Sequence, residues 1–189
     1  MRVKQRVFEA YERTKIRIAA YCLMPNHYLL LWPRQDGELS EVMRWITVTH
    51  TQRWHAHRHT SGNGLVYQGR FKSFPVQTDE HFLTVVRYVE RNAVRAGLIG
   101  RAEYWQWSSL WRFLREDGKP SEILSQWPME RPKDWIEFVN DSERESELED
   151  LRSSAQRGCP FGREDWMVKI AKQLRLESTM NARSCPKRS

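Results

Sequence analysis

The 189-residue sequence is poor in cysteine: Cys22, Cys159 and Cys185 are the whole complement, and they are scattered. No Cys-x-x-Cys pair exists, which excludes a thiolate zinc knuckle, a thioredoxin-like redox pair and a disulfide-stapled fold. Long apolar runs are lacking too. A segment such as Tyr28 to Trp32 is far shorter than the ~20 residues that a membrane-spanning helix needs. The charged start Met1-Arg2-Val3-Lys4-Gln5-Arg6 lacks the apolar core of a secretory signal. A protein of the reducing cytoplasm, with no membrane partner, is the simplest expectation. Internal repeats and low-complexity tracts are absent as well.

What the chain has is aromatic residues and positive charge. Hydrophobic residues make up 40% and aromatics 12%, with 9 tryptophans, so an aromatic-rich folded core is expected rather than a disordered polymer. The net charge of +7 is unevenly placed. Residues 1–118 hold 18 Lys and Arg against 11 Asp and Glu, which is the whole excess, whereas residues 119–189 hold 13 of each. The first part therefore carries the attraction for a polyanion, and nucleic acid is the usual partner of a small basic domain.

Periodicity supplies a coarse map. Arg17 to Leu23 reads as a strand and Met24-Pro25-Asn26 as a turn. Tyr28 to Trp32 is a second strand, too continuously apolar to have a wet face and so expected at the centre of a covered sheet. After a loop over Pro33 to Gly37, Leu39, Val42, Met43, Ile46, His50 and Trp54 recur at helical spacing, predicting a helix from about Ser40 to His57 before the Ser61 to Gly64 turn. Leu65 to Tyr67 and Arg70 to Val76 are expected as short strands or a hairpin. A helix capped by Thr78 or Asp79 runs to Asn92. An acidic helix from about Trp135 to Ser153, a last helix from Glu164 to about Leu176, and a disordered tail over 178–189 complete the expectation.

Polar signal concentrates in Arg87-Tyr88-Val89-Glu90-Arg91-Asn92-Ala93-Val94-Arg95. Tyr88 and Asn92 stand four residues apart, hence on one helical face, with Arg91 and Arg95 as a second such pair. Phosphodiester cleavage by a tyrosine would require such a set: a phenolic nucleophile, an amide ligand for a divalent metal, and cations for the flanking backbone. Taken alone the pattern is ordinary, since a helix tyrosine is most often a packing residue. His27 reads two ways, as a metal ligand entering a strand or as a turn residue capping local backbone. His55, His57 and His59 alternate, but at the end of a helix, where such residues diverge, and they read as solvent-exposed. Tyr67-Gln68-Gly69-Arg70-Phe71-Lys72-Ser73-Phe74 interleaves cations and rings, which suits single-stranded nucleic acid; the alternative is an ordinary amphipathic strand with Arg70 and Lys72 on its wet face.

The segments Ala20 to His27, Tyr67 to Val76 and Arg87 to Leu98, joined by Trp107-Ser108-Ser109-Leu110 and Arg157-Gly158-Cys159-Pro160-Phe161-Gly162, resemble the REP-associated tyrosine transposases. These are relatives of the single-tyrosine transposases of bacterial insertion sequences. The resemblance implies an α+β, ferredoxin-like domain over 1–118 with an antiparallel sheet packed by helices, a helical extension over 119–177, and a monomer or homodimer. It also implies binding of hairpin-forming single-stranded DNA, with cleavage and rejoining through a 5′-phosphotyrosine and a Mg or Mn ion. On the matching positions Tyr88 becomes the nucleophile, His27 and Asn92 metal ligands, and Arg70, Lys72, Arg87, Arg91 and Arg95 DNA contacts.

Two departures qualify that expectation. The family pairs its first histidine with another two residues on, and this chain has Leu29 there, a side chain without a lone pair for a cation. Family members also usually carry a strand before the first helix, so the sheet is expected to lack its first strand and expose an edge. Cleavage is accordingly expected to be impaired. The alternatives are a competent nuclease with a two-ligand metal, a non-catalytic DNA-binding regulator, or a decayed transposase fragment.

Overall fold

The computed structural model describes residues 9–13, 15, 17–31, 38–60, 64–116 and 122–181. It divides into two compact units, the first being Met1–Phe71 with Val86–Asp141 and the second Lys72–Val85 with Ser142–Ser189. That division falls elsewhere than the expected boundary at 118: Ile123, Leu124 and Trp127 meet the strand region, and residues 135–141 meet Arg87, Glu90 and Arg91. The class is α+β, as expected.

In the first unit β1 (Ala20–Leu23) and β2 (Tyr28–Leu31) form an antiparallel hairpin in which Tyr21 faces Leu30 and Leu23 faces Tyr28. Met24-Pro25-Asn26 turns the chain, closed by the Met24 N–H donating to the His27 carbonyl at 2.8 Å. Alternation gives the sheet two faces. On one, Tyr21 and Leu23 join Ile18, Ile123 and Leu124, with Tyr28, Leu30 and Trp107 packed against them. Tyr28 and Leu30 also meet Val42, Met43 and Ile46 of α1 (Glu38–Arg58), whose apolar stripe is the one read from its spacing. The other face carries Ala20, Cys22 and Leu29, with His27 in step just before the strand.

Among the described residues the sheet has two strands, and β2 is half-buried along its length rather than central. The outer edge of β1 is nonetheless covered. Ile18 N–H donates to the Ile123 carbonyl, Ser125 N–H to that of Ile18, and Leu23 N–H to that of Trp107, at 2.9 to 3.0 Å. Irregular chain thus satisfies the groups that an unpaired edge would leave open. The expected strands at 65–67 and 70–76 are absent: residues 64–75 have no regular structure, and Gly69 and Ser73 lie in exposed chain. The loop at 33–37, most of the turn at 61–64 and the tail after 181 lie outside the described residues.

α2 (Glu80–Glu90) and α3 (Asn92–Arg95) form one nearly continuous helix with an irregularity at Arg91, and the Arg95 N–H still donates to the Arg91 carbonyl at 2.9 Å. It ends in a glycine cap. Gly97 has φ +67 and the Leu98 N–H reaches back to the Ala93 carbonyl at 3.0 Å, a left-handed turn that only glycine adopts without strain. Then α4 (Ser109–Arg115), capped by the Ser108 hydroxyl accepting from the Trp111 N–H, and α5 (Trp135–Asn140) complete the unit.

The second unit contains α6 (Glu145–Arg157), α7 (Glu164–Leu174) and α8 (Glu177–Met180). The single acidic helix expected over 135–153 is therefore two, interrupted at 141–144, and residues 178–180, expected in the tail, are helical in α8. Gly162 is required where it stands, since a Cβ there would lie 2.6 Å from the Gln77 Oε1, which accepts from the Arg163 N–H at 2.8 Å. Among the described residues no helix is long and apolar enough to cross a membrane.

Candidate functional site

The α2–α3 helix packs Phe82, Val86, Val89 and Ala93 inward, each almost fully buried. That stripe leaves Tyr88, Asn92 and Arg95 together on a neighbouring face, as their spacing of four and three requires. The hairpin turn brings His27 to the same place. Its Nε2 lies 2.9 Å from Asn92 Nδ2, although 65 positions separate the two residues.

Proton positions follow from one donor-only group. Arg95 Nη2 donates to Asn92 Oδ1 at 3.0 Å, and a guanidinium cannot accept, so the Asn92 oxygen faces Arg95 and its amide nitrogen faces His27. His27 Nε2 must then accept and Nδ1 must carry the proton, which it gives to Asn26 Oδ1 at 2.8 Å. A neutral imidazole results. Burial, and then the nearby Arg95 charge, lower the His27 pKa in keeping with it. Arg95 also donates to the Tyr88 carbonyl at 3.0 Å and stacks its guanidinium 3.9 Å from the centre of the Tyr88 ring.

A divalent ion does not fit this donor set. His27 Nε2 has one lone pair, and an Asn92 N–H takes it. The Asn92 oxygen already receives the guanidinium, a full positive charge at contact distance. Leu29, on the same strand face as His27, has no donor atom. Turning the Asn92 amide over would free its oxygen for His27's side but would set its NH₂ against Arg95, two donors facing each other. Asp79, Glu80 and His81, at the start of α2, form the one group of three such side chains among the described residues whose ligand atoms lie within 4.8 Å of one another. Asp79 there accepts from the His81 backbone N–H at 3.0 Å and from its ring at 2.8 Å, as a helix cap does.

The five expected DNA contacts separate. Arg70 and Lys72 are exposed, and Arg95 is half-buried at Tyr88. Arg87 and Arg91 are placed otherwise. Arg87 is 7% exposed, donates to the Asp141 carbonyl at 2.9 Å and stacks on Phe138; Arg91 donates to the carbonyls of Val139 and Asn140. Both engage the carbonyl end of α5, where helical carbonyls lack partners of their own and attract cations. In this structure the two arginines expected as DNA contacts serve to join the Tyr88 helix to α5.

Sequence reasoning missed two groups. Glu90 is fully buried, accepting from Ser109 Oγ at 2.7 Å and Trp135 Nε1 at 2.8 Å; burial raises its carboxyl pKa, with Arg131 and those hydrogen bonds pulling the other way. Its place four residues after buried Val86 was the available signal. His50 is buried on α1 with its Nδ1 2.8 Å from Tyr67 Oη. Cys22, buried behind the site, has its thiol pushed up to about 12 by desolvation and acts as a packing residue.

Comparison with known proteins agrees with the motifs. A family described as IS200-like transposase matches residues 1–92, a span that includes His27, Tyr88 and Asn92. A solved structure of a REP-associated tyrosine transposase bound to a REP hairpin superposes with a TM-score of 0.51 at 20% identity, over 66% of this chain and 72% of that one. No curated protein matches the chain. The family resemblance read from the motifs thus recurs in sequence over residues 1–92, and the likeness to the solved structure is one of fold.

Proposed function

We propose, from that IS200-like transposase pattern, that the protein binds hairpin-forming single-stranded DNA and presents Tyr88 to a phosphodiester, with cleavage much impaired. The observation that carries this reading is the meeting of His27 with Asn92 at 2.9 Å on the helix face that also holds Tyr88 and Arg95. Chain segments far apart in sequence converge on the one tyrosine that the family pattern makes the nucleophile. The basic excess in residues 1–118, with Arg70 and Lys72 exposed, supplies attraction for the DNA backbone.

The reaction such a site serves is a displacement at phosphorus. A bond forms between Tyr88 Oη and the phosphorus, the bond to the preceding nucleotide's 3′ oxygen breaks, and a 5′-phosphotyrosine and a free 3′-hydroxyl result. The phenolic proton leaves to solvent and the departing oxygen takes one up. Leu29 in the place of the second histidine, and the guanidinium on Asn92, favour a protein that binds more readily than it cuts. A non-catalytic regulator is therefore the second reading, supported by those same two residues.

An end-labelled hairpin oligonucleotide with a single-stranded flank tests both. Binding should weaken steeply with salt, and a denaturing gel should show at most a trace of covalent adduct, removed by Tyr88→Phe with binding intact. Abundant adduct would overturn the impairment. Undetectable or salt-insensitive binding would sink the DNA reading and leave a decayed fragment as the better account.

A further inference from the structure

We infer that Arg95 is the resident cation of the Tyr88 site: its guanidinium stands where a divalent ion would be required and holds the DNA phosphate without metal. The inference deepens the proposed function and rests on it only in naming the phosphate as that of DNA. Three features point to it. Arg95 lies 3.9 Å over the Tyr88 ring, so positive charge sits beside the phenol to which a phosphate must come. Asn92, the amide expected to ligate a metal, instead points its oxygen at Arg95 Nη2 at 3.0 Å. His27, the expected first ligand, accepts from the Asn92 amide N–H with the lone pair that a metal would need.

The sequence of contacts therefore runs Arg95, Asn92, His27, Asn26, each member setting the donor or acceptor sense of the next. In this arrangement the two expected ligands become positioning residues for an arginine. Leu29 has a simple place in it. A second imidazole there would recruit a dication toward Arg95, and like charges at such range repel strongly; leucine removes that competition. A guanidinium suits the task, since its planar fork matches two phosphate oxygens and its charge is permanent.

The test titrates manganese(II) into the full chain by electron paramagnetic resonance, and measures hairpin affinity by fluorescence anisotropy in EDTA and in manganese. Wild type should show no saturable manganese site and equal hairpin affinity in both buffers. Arg95→Met should weaken hairpin binding about tenfold or more, as loss of a charged hydrogen bond to phosphate does, and Arg95→Lys should restore most of it. The double substitution L29H/R95M should gain a manganese site that Asn92→Ala then abolishes. A saturable site in wild type that Asn92→Ala removes overturns the inference, as does hairpin affinity that needs manganese and ignores Arg95→Met. If wild type binds no hairpin in either buffer, the DNA reading fails, and the manganese titration on the same sample still decides which cation the site holds. Thermal melts of each variant separate misfolding from a local effect, with Arg95→Lys as the charge-preserving control.

Discussion

Two basic segments of this chain look alike on paper and differ in the fold. Arg70 and Lys72 stand exposed in chain without regular structure, whereas Arg87 and Arg91, one and three positions from Tyr88, are turned onto the last carbonyls of α5. The difference teaches that proximity to Tyr88 in sequence does not make a charge available to a ligand there. A helix C-terminus is itself an anionic partner, with carbonyls that need donors, and it takes two arginines of the helix beside it. Arg95, one turn further on, donates to the Tyr88 carbonyl and stacks on its ring.

The severest way to break the buried half is at Glu90. It receives hydrogen bonds from α4 and α5 at once, through Ser109 and Trp135, while its charge faces Arg131. Glu90→Ala leaves the Trp135 N–H without its acceptor, costs Ser109 its shorter hydrogen bond and takes the counter-charge from buried Arg131, so the unfolding free energy should fall by about 3 kcal/mol. Urea unfolding measures it, and a loss under about 1 kcal/mol would mean that the network relaxes onto water.

A milder pair of variants sharpens the comparison directly. Arg87→Ala should lower stability by about 2 kcal/mol, from a lost charged hydrogen bond and the ring contact with Phe138, and should leave the salt dependence of DNA binding unchanged once the protein is folded. The R70A/K72A double variant should do the reverse. Its melting temperature should match wild type, while the slope of log affinity against log salt should shrink by about 1.4, two single-strand phosphate contacts at about 0.7 each. Exchanged outcomes would mean that the exposed pair is structural and the buried arginine a DNA contact.

Much of this was legible in the sequence, and the boundary of legibility has physical causes. α1 and α2 followed from apolar spacing because each buries one stripe. The Tyr88 and Asn92 pair followed from helical spacing alone, whereas Arg95, grouped there with Arg91, proved to join that pair. The strands expected at 65–67 and 70–76 failed because alternation of rings and cations imitates a half-buried strand, and whether a partner strand exists to pair with it is not a local property. The placement of Arg87 and Arg91 was hidden for a similar reason: their partners lie some fifty residues downstream, at carbonyls that every helix has and no sequence marks. Glu90 hid as one charged letter in an apolar helix. The direction of Asn92 was beyond the sequence altogether, since it depends on a donor-only guanidinium meeting it in space.

The smallest expected effect lies at the opposite end of the helix that carries Tyr88. Burial alone would raise the Asp79 carboxyl pKa, but hydrogen bonds from the His81 ring and backbone N–H, with the charges of His81 and Arg163, outweigh it and hold the pKa below its ordinary 3.8. A carboxyl lowered in the folded state stabilises above its unfolded value and loses that contribution as the pH falls through the folded one. Asp79→Asn keeps an oxygen for the cap and removes the charge. Near neutrality the variant should be less stable by about 0.5 kcal/mol, and the gap to wild type should close as the pH drops below 3.8. Urea unfolding of both proteins across that range reads the difference, in which the other carboxylates cancel. A gap that stays constant into acid would show that the capping oxygen, rather than its charge, holds the start of α2.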